Sequence, residues 1–447
     1  MQHIPDIVSE LISNGGFPTK HLSYSSLKEY LRNPRSFLKK YVRYEFDDQT
    51  KAVLMVGRAV HKGLEIYFEA YKTGEIMEVE KVHLAGIDQF RRELLITRIK
   101  WLQKWIKTNG WSFDFPIFHK DLENEEIAEF YEKARIQARE NVAIPEDSPE
   151  GYIEDFLTQN VEYSLLTLGS KTLEDMISES ETQIRTAINN FFDSDWIPEW
   201  KVHSTEREST VFFTDEFWEE MPIPVKAIID RLDIVDEGGD GSEAPNVKYC
   251  IITDYKTADK FSLSDADKAD YEMQAGTNYV TALVETGVAP KKMRFVEISK
   301  KAPGYILPED PEKTLLKADL VDLIKNRLPD YEMTGKEFVA DMRKILIDGE
   351  ILVKESGVNV FEIDFDERPD IMLTFFAMYK GVVTMIALSA MFDIYLPNIS
   401  AQWGWLEAWQ DFKEFEGSPR DKTPKIQTLE APVVEKVVDD LSDVESL

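Results

Sequence analysis

Apolar positions recur at helical spacing over most of the first 200 residues, then give way to short β-prone runs near residue 210. The stretch Ser23–Tyr44, SYSSLKEYLRNPRSFLKKYVRY, predicts two short helices meeting at Asn33-Pro34. Ser25 or Ser26 can cap the first, and Pro34 can begin the second. Met55–Tyr71 predicts a further helix, and from there to about Trp200 the chain reads as helical, amphipathic and aromatic, most clearly over Arg91–Lys107. A loop bearing proline and acids near Ile144–Pro149 interrupts this region.

The β-prone part begins with Thr210–Phe213 and Val225–Val235. A turn-rich connection, Asp236–Asn246, leads to another strand, Val247–Lys256. Asp270–Glu285 returns to helical period, and Met293–Ser299 predicts a strand. After Ala302 the pattern is helical again, with little strand signal until Val358–Phe365. Lys380 and Asp393 interrupt the apolar run Ile371–Leu396, which predicts a buried core helix rather than a bilayer span. Beyond Gly417 the chain is polar and acidic and predicts a disordered tail. The expected fold class is mixed α/β, a sheet with flanking helices inside a larger helical frame.

Charge and cysteine content narrow the chemistry. The 447 residues carry a formal net charge of −31, which argues against a general phosphate-binding surface. The charge is not evenly spread, however. Between His21 and Tyr44 the basic residues Lys28, Arg32, Arg35, Lys39, Lys40 and Arg43 face the single acid Glu29. The only cysteine, Cys250, excludes a disulfide framework, a four-cysteine zinc site and a cysteine-ligated iron–sulfur cluster within this chain. A cytoplasmic, reducing location is expected, since the N-terminal MQHIPDIVSELISNGG lacks the basic and apolar regions of a signal peptide. There is no G-x-x-x-x-G-K-[ST] motif; Gly335-Lys336 is followed by Glu337. The chain is therefore not expected to be a helicase, although a helicase or recombination protein could be its partner.

The stretch IITDYKTADK (Ile251–Lys260) carries the main chemical signal. On a strand, Asp254 and Lys256 share a face and Tyr255 points the other way. Asp230, on the preceding strand, could be folded back beside them by the connection. Carboxylates suit Mg²⁺ or Mn²⁺, and a lysine alongside could orient a water and offset charge in a phosphoryl-transfer transition state. By itself, D-x-K is a weak signal and reads more readily as charge decoration at a strand end.

The ordered series G-x-x-x-H (Gly57–His61), I-I-D-R-L-D (Ile228–Asp233), I-T-D-Y-K-T (Ile252–Thr257) and Y-E-M-Q (Tyr271–Gln274) resembles the RecB-like branch of the PD-(D/E)XK nucleases, which includes the CRISPR-associated RecB-like exonucleases. The resemblance covers Ser23–Glu69 and Glu206–Ser299. It implies a restriction-endonuclease-like core with His61, Asp230, Asp254 and the Tyr255 carbonyl as ligands of Mg²⁺ or Mn²⁺. It further implies that Lys256 activates or positions the attacking water, and that Gln274 contacts lysine, water or substrate.

The implied organisation is residues 1–70 as N-terminal helices contributing His61, 71–204 as a mostly helical insertion and 205–302 as the nuclease core. Residues 303–417 would complete the nuclease as a helical region, and 418–447 would form the tail. The implied function is a metal-dependent DNA nuclease, an exonuclease by family, in bacterial or phage DNA recombination, repair or metabolism. The alternative is a catalytically inactive acidic binding or decoy protein on a nuclease frame.

Two departures from the family stand out. Asn33 occupies the slot of the first iron–sulfur cysteine, and Tyr395–Phe415 has tryptophans where the others would lie. No cluster is expected, and Trp403, Trp405 and Trp409 could pack in its place. The family's tyrosine four residues after the glutamine is replaced by Asn278, with Tyr279 one further on.

Several residues keep two readings. Glu65 could orient His61 or be a solvated charge, the latter favoured. Asp233, on the strand face opposite Asp230, could pair with Arg231 or face solvent. Glu206 and Glu208, expected to precede the first strand, could help hold metal or lie at the surface, the latter favoured. Lys28, Arg32, Arg35 and Lys39 could hold DNA phosphates, with Tyr24 or Tyr30 stacking on a base, or form a solvated helix face. Lys260 is expected at the surface.

Overall fold

The structure, a computed structural model, describes residues 6–44, 50–116, 122–142, 144, 147–149, 151–165, 172–194, 201–214, 220–237, 247–259, 261, 265–302, 305–307, 310–315, 352–353 and 357–395. The helices are α1 (Asp6–Ser13), α2 (Tyr24–Arg32), α3 (Pro34–Phe37), α4 (Ala52–Lys72), α5 (Val79–Thr108), α6 (Asn124–Asn141), α7 (Tyr152–Leu165), α8 (Leu173–Phe192), α9 (Asp265–Thr286) and α10 (Pro369–Phe392). The main sheet contains β1 (Leu22–Ser23), β2 (Val202–Val211), β3 (Val225–Glu237), β4 (Val247–Ala258), β5 (Pro290–Ser299) and a strand at Val358–Asp364.

The sequence places the first helix start two or three residues late. Ser23 is the cap: its Oγ accepts from the Ser26 N–H, and Ser26 Oγ accepts from the Ser23 N–H. Ser26 is thus the reciprocal partner in the box, and Ser25 lies inside the first turn. Asn33 caps α3 by accepting from the Arg35 N–H, with Pro34 as the first helical residue.

The sheet is mixed. β2 and β3 are antiparallel, as are β3 and β4; β4 and β5 are parallel, joined by α9, and β5 pairs antiparallel with Val358–Asp364. The turn-rich connection does fold β4 back beside β3. Helices α4 to α8 build one apolar core, which meets the sheet through Tyr255, Val296, Ile298 and Val358. It runs without a break across residue 70, where α4 and α5 cross closely: a Cβ on Gly86 would lie 2.9 Å from the Ala59 carbonyl oxygen. The opposite sheet face is covered by α9, whose Ala275 and Ala282 pack on Ile229, Cys250, Ile252 and Met293.

Helix α10 is long and apolar enough, by length and composition, to cross a membrane. Half of its most apolar window is buried, and Phe375, Tyr379 and Ile386 join a core with Leu27 and Tyr30 of α2. The core-helix expectation therefore describes its packing, although Lys380 does not shorten it as a span.

Two sequence expectations need correction. The first strand of the β region begins at Val202, so Glu206 and Glu208 lie within β2 rather than before it. Its polar sequence, VHSTERESTV, hides the strand because only Ser209 and Val211 are buried. The region after Ala302 is not simply helical: β6 (Tyr305–Leu307) pairs with β7 (Asp310–Leu315) and β8 (Leu352–Val353) in a small separate sheet. These strands are too short for an alternating pattern to register; the strand at Val358–Asp364 is then β9. Lys260, Trp403, Trp405, Trp409 and the acidic tail lie outside the described residues.

Candidate metal centre

Strand β3 has two edges, and they are used differently. β2 lines one edge along its whole length, from Val211 opposite Val225 to Val202 opposite Asp233. On the other edge β4 pairs only from Glu237 back to Arg231, while β1 pairs only with Val225 and Lys226. Residues 227–230 therefore face a fork between β1 and β4. Continuing the β4 register by one step would set Asp230 directly opposite Asp254, a like-charge cross-strand pair that is destabilising. The ladder stops there instead, and Asp230 Oδ2 accepts a 2.7 Å hydrogen bond from the Tyr255 N–H.

His61 reaches the same point from α4. Gly57, one turn earlier on that helix, faces Thr257 of β4, whose Oγ1 would be 3.2 Å from a Cβ at that position. A Cβ there would be a tight contact, and the Thr257 side chain would have to give by a few tenths of an ångström. His61 Nδ1 lies 3.5 Å from Asp230 Oδ2 and 3.8 Å from Glu206 Oε1. The three donor groups fall within 4.8 Å of one another.

Glu206 is the residue that sequence reasoning assigned to the surface. It stands opposite Asp230 on β2, but the ladder passes from Thr205–Arg231 to Arg207–Ile229 without it. Its φ of 42° is in the left-handed region, which non-glycine residues adopt rarely and at a cost. That twist accompanies a carboxylate aimed at His61 instead of solvent. The sequence offered one signal, a glutamate within a run ending two strands before D-x-K, but nothing in it marks the backbone conformation.

Asp254 and Lys256 share the α9 face of β4. Lys256 Nζ is 2.6 Å from Asp254 Oδ2, a close ionic contact. The other oxygen, Oδ1, accepts from Gln274 Nε2 at 2.6 Å. Gln274 thus touches the aspartate rather than the lysine.

Tyr255 points to the other face, where it stacks on Phe68 and its hydroxyl accepts from Arg231. Arg231 is fully buried and donates also to Asp233 and Thr253. Asp233 is therefore a structural ion-pair partner, one of the two sequence readings. Glu65 pairs with Lys62 at 2.8 Å, the reading as an ordinary charge.

The electrostatics follow from this packing. Burial raises Asp230 above the ordinary carboxylate range; His61 works against the rise and Asp254 adds to it. Burial also raises Glu206, with Asp230 adding to the effect. Burial works to lower Lys256, but Asp254 and Asp230 outweigh it and hold the amine above its usual value. Lys256 is an ammonium at neutral pH.

The basic segment is less uniform than its sequence suggests. Lys28 is exposed but held by Asp270 at 2.6 Å, and Lys40 pairs with Glu29 at 3.2 Å. Arg32, Arg35 and Lys39 are half-buried on α2, α3 and the turn that follows. Tyr30 is buried and bonded to Ser389, so it cannot stack on a base; Tyr24 borders the fork.

No protein-family model matches the chain, and no curated protein does either. The residues at the fork nevertheless fit a divalent cation. His61, Glu206 and Asp230 converge, and burial pushes both carboxylates toward protonation. Such a donor set suits Mg²⁺ or Mn²⁺, and an added cation would relieve the mutual repulsion of the acids.

Proposed function

We propose that the protein is a divalent-metal-dependent DNA nuclease with a restriction-endonuclease-like core of the PD-(D/E)XK type, RecB-like branch. The observation that carries this reading is the cluster of His61, Glu206 and Asp230, with Asp230 bound to the main chain between Asp254 and Lys256. Exonuclease action in bacterial or phage DNA recombination or repair is the form the motif order favours, with a separate helicase or recombination protein as a possible partner.

His61, Glu206, Asp230 and Asp254 would hold the cation, with the main chain of Tyr255 beside them. When bound, Mg²⁺ or Mn²⁺ supplies polarisation of a phosphoryl oxygen and a more acidic water. The protein's own groups do the rest. Lys256, as an ammonium, orients the attacking water and offsets charge on the phosphoryl oxygens; it is not the proton acceptor in this state. Gln274 fixes the orientation of Asp254 through Oδ1. The exposed Lys28, with Arg32, Arg35 and Lys39 along the same segment, would guide the DNA backbone against the repulsion of an acidic protein.

End-labelled single- and double-stranded DNA incubated with Mg²⁺, Mn²⁺ or EDTA tests the proposal. Cleavage is expected with either metal and not with EDTA, and it should fall sharply in Asp254→Asn and Lys256→Ala. Undiminished cleavage by both variants would remove the site from the mechanism. Tight capture of a basic protein, with no cleavage of either DNA by the wild type, would support the decoy reading instead.

A further inference from the structure

Along the α9 face of β5 the successive residues are Met293, Phe295 and Glu297. The first two are fully buried in the apolar layer beneath α9, where Phe295 stacks on Tyr271 at 4.2 Å. Glu297 is 6% exposed, so a carboxylate continues a row that an apolar side chain would fill at less cost. Both of its oxygens are held. Oε1 accepts from the Tyr271 hydroxyl at 3.0 Å, and Oε2 accepts from Asn359 Nδ2 at 2.9 Å across the ladder to β9. Neither donor carries a charge.

The parallel register sets Glu297 directly abreast of Lys256 on β4, with both side chains on the α9 face. Neighbouring strands lie about 4.8 Å apart, within the reach of a lysine amine. Lys256 nevertheless points to Asp254, 2.6 Å from Oδ2. That pairing competes with a cation on the same aspartate. Gln274 already occupies Oδ1 at 2.6 Å, and an ammonium and a dication crowded on Oδ2 would repel each other at close range. Asp230 is itself a candidate ligand, and Asp270, which also acts on Lys256, is bound to Lys28 at 2.6 Å. Glu297 stands beside the amine with only neutral partners of its own.

We infer that Glu297 is a positioning residue of this site, which receives the Lys256 ammonium when a divalent cation occupies Asp254. The inference rests on the nuclease reading and adds a residue that the motif series does not contain. No covalent bond is made or broken in the exchange. The amine turns from its own strand to the next, which releases the aspartate to the cation and keeps Lys256 paired beside the centre. Tyr271 and Asn359 preset the carboxylate for this, since each of its oxygens can accept a second hydrogen bond.

The test is a double-mutant cycle of Glu297→Gln and Lys256→Ala. It is read first as Mn²⁺ affinity, from the electron paramagnetic resonance of the free ion, and then as cleavage of labelled DNA. Glutamine keeps the shape and an acceptor for Tyr271, and Asn359 can turn its amide to suit it. Glu297→Gln should weaken Mn²⁺ binding about tenfold, because the ammonium then stays on Asp254. In the Lys256→Ala background the same change should alter binding by less than about twofold. In cleavage, Glu297→Gln should lower kcat about tenfold with KM for DNA unchanged, and do nothing further once Lys256 is gone. Equal losses of Mn²⁺ affinity in both backgrounds would make Glu297 a distant charge and overturn the inference. Should Glu297→Gln fail to fold, a structure of the wild type loaded with Mg²⁺ decides. Lys256 Nζ within hydrogen-bond reach of Glu297 supports the exchange, and Nζ still on Asp254 refutes it. The expected cycle in Mn²⁺ affinity with no cleavage by the wild type would sink the nuclease reading and leave the exchange standing. Cleavage by the wild type with additive Mn²⁺ affinities would do the reverse.

Discussion

Asp230 Oδ2 accepts a 2.7 Å hydrogen bond from the main-chain N–H of Tyr255, the residue between Asp254 and Lys256. The contact replaces a backbone ladder bond at the point where β3 and β4 separate. It ties one candidate metal ligand to the backbone that presents the other. Opening the sheet and assembling the site are therefore one event.

The first prediction separates these two jobs. Asp230→Asn keeps an acceptor for the Tyr255 N–H, whereas Asp230→Ala leaves it buried and unpaired. Urea unfolding without metal should find the alanine variant less stable than the asparagine variant by about 1–3 kcal/mol. Metal-dependent cleavage should be lost in both. Equal stability would mean that water or another group satisfies Tyr255.

The second concerns pH. Glu206 and Asp230 are raised mainly by burial, so the folded protein binds protons more tightly than the unfolded chain. Without metal, stability is highest at and below the ordinary carboxylate range. It falls as pH rises toward the raised folded values and stays low above them. Glu206→Gln should recover on the order of 2 kcal/mol at about pH 8 and almost nothing at about pH 4, read from melting curves in EDTA. A uniform gain at both would assign the effect to backbone strain instead.

The third concerns Lys256. Because Asp254 and Asp230 keep it protonated, its loss should lower turnover without abolishing metal binding. Lys256→Ala should cut DNA about a hundred- to a thousandfold more slowly while Mn²⁺ still raises its melting temperature. A simultaneous loss of the Mn²⁺ effect would show that Lys256 organises the acids rather than the reaction.

The fourth lies on the other sheet face. Arg231 is enclosed by Asp233, Thr253, the Tyr255 hydroxyl and the Phe68 ring at 4.5 Å. Arg231→Met leaves the Asp233 carboxylate buried without its cation and should cost about 3–5 kcal/mol in urea unfolding. Arg231→Met with Asp233→Leu should recover much of that. A cost below about 1 kcal/mol for the single variant would mean that Asp233 is solvated or neutral.

Much of this architecture was legible in local pattern. The helices of the first 200 residues, the strands around Ile228–Asp233 and Ile252–Thr257, and the shared face of Asp254 and Lys256 all follow from periods of 3.6 and 2, which depend only on neighbouring residues. The same rule set Asp233 apart from Asp230, and the structure chose Arg231 over solvent as its surroundings. Less was legible where the polar strand β2 reads as loop, or where β6 to β8 are too short to show a period.

What only the tertiary structure decided is the use of the β3 edge. The fork at residues 227–230 depends on where β1 and β4 stop pairing, a long-range choice that no local pattern encodes. From it follow the contact of Gln274 with Asp254 and a cavity beside Asn278, while the β2 pairing on the other edge sets Glu206 opposite Asp230. The sequence alone determined which side chains could do the chemistry. They meet because the β3–β4 ladder ends at Arg231 and the Asp230 carboxylate, not a backbone carbonyl, takes the Tyr255 N–H.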